Sequence, residues 1–137
     1  MATPRAKEFH YAVGLERSGS LDADGRAPLE LTAAWTPEHL VLAGLLRCAL
    51  TSLRYHAGRS GIDVDAAGSA SGTVTRRDED GRYAFVEIDV RLEIELDSAV
   101  VGDDLGALLA KAERDCFIGA SLTAKPSYRW TVNGQSA

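Results

Sequence analysis

Hydrophobic and polar residues alternate most cleanly between Val86 and Leu96. Val86, Ile88, Val90, Leu92, Ile94 and Leu96 fall on one side, and Glu87, Asp89, Arg91, Glu93 and Glu95 on the other. Successive side chains of a strand point to opposite faces, so this segment predicts a strand with one covered and one wet face. Similar alternation predicts a half-buried strand through Phe9, Tyr11, Val13 and Leu15, and a last strand over Tyr128-Arg129-Trp130-Thr131-Val132. Asp24-Gly25 is a tight-turn signal, followed by a short strand at Leu29-Glu30-Leu31. Another strand begins at Ile62-Asp63-Val64, continues through a Gly/Ser/Ala-rich stretch to Val74, and ends at a polar turn over Asp78–Gly81.

Two segments follow the helical period. Thr36-Pro37-Glu38 opens the first, with a capping hydroxyl, a proline suited to the first helical position and a carboxylate at the positive end of the dipole. It is expected to run to Arg59 or Ser60, with Gly61 as its left-handed stop. Its first half, Leu40 to Leu50, has almost no polar face, and Arg47 is its sole charge. A helix apolar all round is buried all round, so a partner helix or a second subunit is expected against it. The second helix starts near Asp103-Asp104, carries Leu105, Leu108, Leu109 and Ala112 at helical spacing, and is expected to end at Cys116. With few helices, strands antiparallel in pattern and no βαβ rhythm, the fold class is α+β.

The 137 residues suit one domain, spanning 1–137, and the 45% hydrophobic and 26% charged content is that of an ordinary globular protein. Disorder is expected only at the ends, 1–7 and 133–137. A net charge of −5 and the lack of a basic patch speak against a nucleic-acid partner. The longest apolar run, Leu40–Leu46, is far short of the ~20 residues a membrane span needs. No signal peptide is read at the N-terminus, so a soluble, cytoplasmic protein is expected.

In a reducing compartment, two cysteines far apart in sequence are seldom a structural staple, and Cys48 and Cys116 form no CxxC motif. Catalysis, redox sensing and inert burial remain open for both. Cys48 shares a helix face with Val41, Gly44, Leu45, Thr51, Ser52 and Tyr55. Gly44, one turn earlier, leaves open space beside the thiol or lets another backbone approach. A reactive thiol needs a cation or a helix N-terminus near it. Cys48 lies too deep in its helix for the second, and Arg47 points about 100° away. Arg17 and Arg26 are the candidate cations, with Glu38 the carboxylate to hold one of them. His10, His39 and His56 form no metal-binding motif, and Gly68-Ser69-Ala70-Ser71-Gly72 lacks the features of a phosphate loop.

Two segments resemble the OsmC-like proteins, which include the organic hydroperoxide resistance proteins. One is Trp35–Cys48, a Pro-Glu helix with Glu38 ten residues ahead of Cys48; the other is Ala112–Leu122, around Cys116. The resemblance covers nearly the whole chain. It implies an intertwined homodimer in which antiparallel sheets wrap long central helices, with a site at the subunit interface. It further implies a thiol peroxidase that reduces organic hydroperoxides without metal, haem or flavin. Cys48 would be the peroxidatic cysteine and Cys116 the resolving one, with an external dithiol as reductant. An N-terminal arginine paired to Glu38 would hold the thiolate. Arg17 sits in the more similar context and Arg26 is second choice. Leu45 and Tyr55 would line an apolar substrate pocket. Cys116-Phe117 departs from the Cys-Pro of many members. A binding or redox-sensing protein of the same fold, without turnover, is the alternative.

Overall fold

Pro37 and Glu38 start the long helix where their capping chemistry places it: α1 spans Pro37–Arg59 and is followed by Gly61 at φ +70°. A computed structural model describes residues 6–97 and 99–137, so most of the expected N-terminal disorder, at residues 1–5, lies outside the described residues. Contacts divide the chain into two compact units, Met1–Thr36 and Pro37–Ala137.

The first unit is a three-stranded antiparallel meander of β1 (Val13–Leu15), β2 (Leu21–Ala23) and β3 (Arg26–Leu29). It differs from expectation in two ways. The third strand lies earlier than Leu29-Glu30-Leu31, because the Asp24-Gly25 turn feeds directly into Arg26. Phe9, Tyr11, Val13 and Leu15 are all exposed, and only the last two belong to a strand. Their alternation is real, but all four side chains keep most of their surface exposed among the described residues.

The second unit packs α1 and α2 (Gly102–Arg114) on one face of a four-stranded sheet, ordered β4 (Asp65–Arg76), β5 (Tyr83–Glu95), β6 (Ser127–Val132), β7 (Gln135–Ser136). Ile88, Val90, Leu92, Ile94 and Leu96 are buried as the alternation requires. Val86 is not. Thr73 pairs with Glu87 and Val74 with Phe85, so Val86 is an extra residue in β5, and this bulge turns Phe85 inward instead. Leu45, Ala49, Leu53 and Ala57 of α1, Leu108, Leu109 and Ala112 of α2, and Trp130 and Val132 of β6 complete the core.

Two expectations are corrected here. Although β4 and β5 are antiparallel, β6 lies parallel to β5, and the crossover between them carries α2 and a short helix, α3 (Phe117–Ser121). A period of two reports burial and is silent on direction. Residues 133–137 are ordered: Asn133 and Gly134, both at positive φ, turn the chain into β7. Among the described residues, the buried positions of α1 form one stripe, Leu45, Ala49, Ser52, Leu53 and Ala57, which leaves the rest of its apolar surface for the partner that the sequence calls for. Val41 is exposed, and Leu42, Leu46 and Leu50 are half-buried. Among the described residues no helix is long and apolar enough to cross a membrane.

Candidate active site

Helix α2 ends at Arg114, not at Cys116. Asp115 leaves the helical region, and Cys116, with extended backbone, is the N-cap of α3. The first backbone N–H groups of a helix have no partner within it. Here they turn to sulfur. The Gly119 N–H donates to Cys116 Sγ at 3.4 Å, and the Ile118 N–H donates to Cys48 Sγ at 3.4 Å. Both cysteines are therefore gathered on the first turn of α3. The Cys48 thiol stands close enough to Cys116 to raise its pKa.

The two thiols differ in environment. Cys48 is half-buried on α1, while Cys116 is 0% exposed. Burial pushes the Cys116 thiol up, as does the neighbouring Cys48, while the Gly119 N–H and the Tyr128 hydroxyl pull it down. Tyr128, on β6, is itself pushed up, first by burial and then by the Cys116 sulfur. Its hydroxyl is buried and makes no hydrogen bond of ordinary geometry. It occupies the space a side chain at position 119 would fill: a Cβ there would overlap the Tyr128 oxygen and come to 3.4 Å from Cys116 Sγ. Glycine at 119 is what allows the phenol to approach.

The short α3 is anchored on each side. Lys125 Nζ donates to the carbonyls of Leu122 at 2.8 Å and Ala120 at 3.3 Å, a cation at the helix's negative end. Ahead of Cys116, the Asp115 carboxylate lies 2.8 Å from His56 Nε2 on α1 and accepts two bonds from Arg114 at 2.9 and 3.0 Å. Arg114, helped by His56, holds the Asp115 carboxyl at about 2. A charged clamp therefore ties the helix of Cys48 to the residue preceding Cys116. The Trp130 indole N–H donates to Glu113 at 3.2 Å and fixes β6 to the end of α2.

The other expected site residues fall as follows. Glu38 is exposed at the start of α1, about 15 Å of helical rise from Cys48. Arg17, in the turn after β1, and Arg26, at the start of β3, are exposed in the N-terminal unit. Tyr55 is exposed and its hydroxyl accepts a bond from Arg59 at 3.1 Å. Leu45 is fully enclosed in the core, so in this chain it faces packing partners and no open pocket. A Cβ at Gly44 would meet nothing within 4 Å, so the chain leaves that space open. Among the described residues no three His, Cys, Asp or Glu side chains gather as a metal-holding group. Sequence reasoning missed Ile118, Gly119, Tyr128 and the His56–Asp115 pair. Only Gly119, three residues after a cysteine, left a trace there, since a glycine within a helix requires a reason.

Comparison with known proteins bears on family and fold. A family model described as OsmC-like protein matches residues 29–131. The fold is similar to that of an OsmC-like protein of unknown function from Vibrio cholerae, at 15% identity and a TM-score of 0.70, over 91% of this chain and 99% of that one. It is similar to the organic hydroperoxide resistance protein OhrB of Bacillus subtilis, at 19% identity and 0.56, over 91% and 98%. It is also similar to an organic hydroperoxide resistance protein of Elizabethkingia anophelis with thiocyanate bound, at 16% identity and 0.64, over 93% and 98%. Likeness at such identities establishes a shared fold. No curated protein matches the sequence.

Proposed function

The chain belongs to the OsmC-like family, and on that premise we propose that it is a thiol peroxidase reducing organic hydroperoxides at Cys48. The observation that supports this most is the meeting of Cys48 and Cys116 on the first turn of α3. Two thiols so placed can pass from a sulfenic acid to a disulfide without rebuilding the core.

The Cys48 thiolate attacks the outer peroxide oxygen. The O–O bond breaks, the inner oxygen leaves and takes a proton as the alcohol, and Cys48 becomes a sulfenic acid. The Ile118 N–H is a donor that a charged sulfur accepts more strongly than a neutral one. Cys116, kept protonated by burial, then attacks the Cys48 sulfur, the S–O bond breaks, and water departs. An external dithiol reduces the disulfide by exchange. The family resemblance assigns the cation beside the thiolate to Arg17, with Arg26 second, and its carboxylate partner to Glu38. Val41 and Tyr55, exposed on the helix face of Cys48, offer apolar surface to an alkyl or fatty-acyl chain. A second copy of the chain would cover that surface and enclose the site.

Turnover of cumene hydroperoxide with dithiothreitol tests the assignment. The parent protein consumes peroxide, Cys48→Ser does not, and Cys116→Ser forms one sulfenic acid before over-oxidation. Equal turnover by Cys48→Ser and the parent refutes it.

A further inference from the structure

Tyr128 has a hydroxyl with nothing conventional to bond, in a place where a bond is worth most. The oxygen is buried. A buried hydroxyl left without a partner costs about 1–3 kcal/mol, and a phenylalanine would fill the same space without that cost. The phenol oxygen and Cys116, which is 0% exposed and already takes the Gly119 N–H, both border the space that a Cβ at position 119 would fill. A neutral thiol is a weak acceptor. A thiolate is a strong one. The phenol is thus a donor held in reserve beside a sulfur that must lose its proton once in each cycle.

We propose that Tyr128 serves the resolving step, donating its hydroxyl hydrogen bond to Cys116 Sγ as that sulfur attacks the Cys48 sulfenic acid. The inference rests on the peroxidase reading and assigns it a residue outside the cysteine pair. The phenol keeps its own proton throughout. The Cys116 proton passes to the departing hydroxide, which leaves as water as the S–S bond forms and the S–O bond breaks. The Cys48 sulfur is reduced from sulfenic acid to disulfide, and the Cys116 sulfur is oxidised by the same amount. Gly119 completes the arrangement in two ways: its N–H is the second donor to Cys116, and its missing side chain admits the phenol. Burial, which pushes the Tyr128 phenol up, keeps it protonated and able to donate across the neutral range.

Tyr128→Phe tests this because it removes one oxygen and keeps the ring. Rapid mixing with one equivalent of cumene hydroperoxide should show sulfenic acid forming at Cys48 at the parent rate. Closure to the disulfide should be about tenfold slower, the scale of one lost hydrogen bond to a charged group, with more trapping by dimedone. In a Cys48→Ser background, the Cβ carbon NMR signal of Cys116 should titrate at higher pH once the phenol is gone. Gly119→Ala, which forces the hydroxyl away from the sulfur, should move both readouts in the same direction. Parent-like closure together with an unmoved Cys116 titration overturns the proposal. If the parent forms no sulfenic acid, the peroxidase reading fails, and the Cys116 titration still decides whether the phenol donates to that sulfur.

Discussion

The Ile118 backbone N–H and the Cys48 sulfur, 70 positions apart in sequence, meet at 3.4 Å. One residue further along, the Gly119 N–H meets Cys116 at the same distance. A helix of five residues therefore directs two of its unpaired donors at two different thiols. The arrangement depends on a break in the chain after Arg114. Had α2 continued through Cys116, that cysteine would be one more residue of an amphipathic helix.

Gly119 should tolerate no side chain. A methyl there overlaps the Tyr128 hydroxyl, and overpacking of a closed site costs about 1–3 kcal/mol. Urea unfolding of Gly119→Ala should show that loss, and Tyr128→Phe in the same chain should recover most of it. The coupling between the two sites measures the contact directly. Additive losses in the double variant would mean that the two groups do not compete for one space.

How far this site was legible in the sequence depends on which contacts are local. The ends of α1 could be read from Thr36, Pro37 and Gly61, because capping chemistry acts within a turn. The covered face of β5 could be read from its alternation, up to the bulge at Val86. Direction could not: the same residues describe a parallel or an antiparallel β6, and only the α2–α3 crossover settles it. Cys48 and Cys116 were identifiable as a pair through family resemblance, whereas their own neighbours leave inert burial open. Tyr128 gave no signal, since the last strand predicts an inward ring whether or not its hydroxyl has work to do.

The clamp in front of Cys116 carries a pH signature. Arg114, then His56, hold the Asp115 carboxyl at about 2, and Arg77, then the Arg82 N–H, hold that of Asp80 at about 2. A carboxyl lowered on folding stabilises the fold above its unfolded value of about 4 and loses that contribution as pH falls towards its folded value. Carbon-detected NMR should find both carboxylates ionised at pH 4, titrating only near 2. For Asp115, His56→Ala should raise the midpoint modestly and Arg114→Ala should raise it more. Ordinary titration of Asp115 near pH 4 in the parent would show that the clamp does not form.

Helix α1 predicts an oligomer. Val41 is exposed, and Leu42, Leu46 and Leu50 are only partly covered by their own chain. Sedimentation should give twice the 14.6 kDa chain mass, and Val41→Glu should shift the equilibrium towards monomer. A parent chain that stays monomeric at micromolar concentration would leave this apolar stripe unexplained and the proposed enclosure of the site without a wall.

The central claim is that Cys48 and Cys116 form one redox unit. Its most direct test is the intact mass of the reduced protein after one equivalent of an organic hydroperoxide, with remaining thiols blocked by an alkylating agent. The protein should lose two hydrogens, gain no oxygen and take up no alkylating agent, with both sites protected together. Two free thiols, both alkylated after the peroxide, would contradict it.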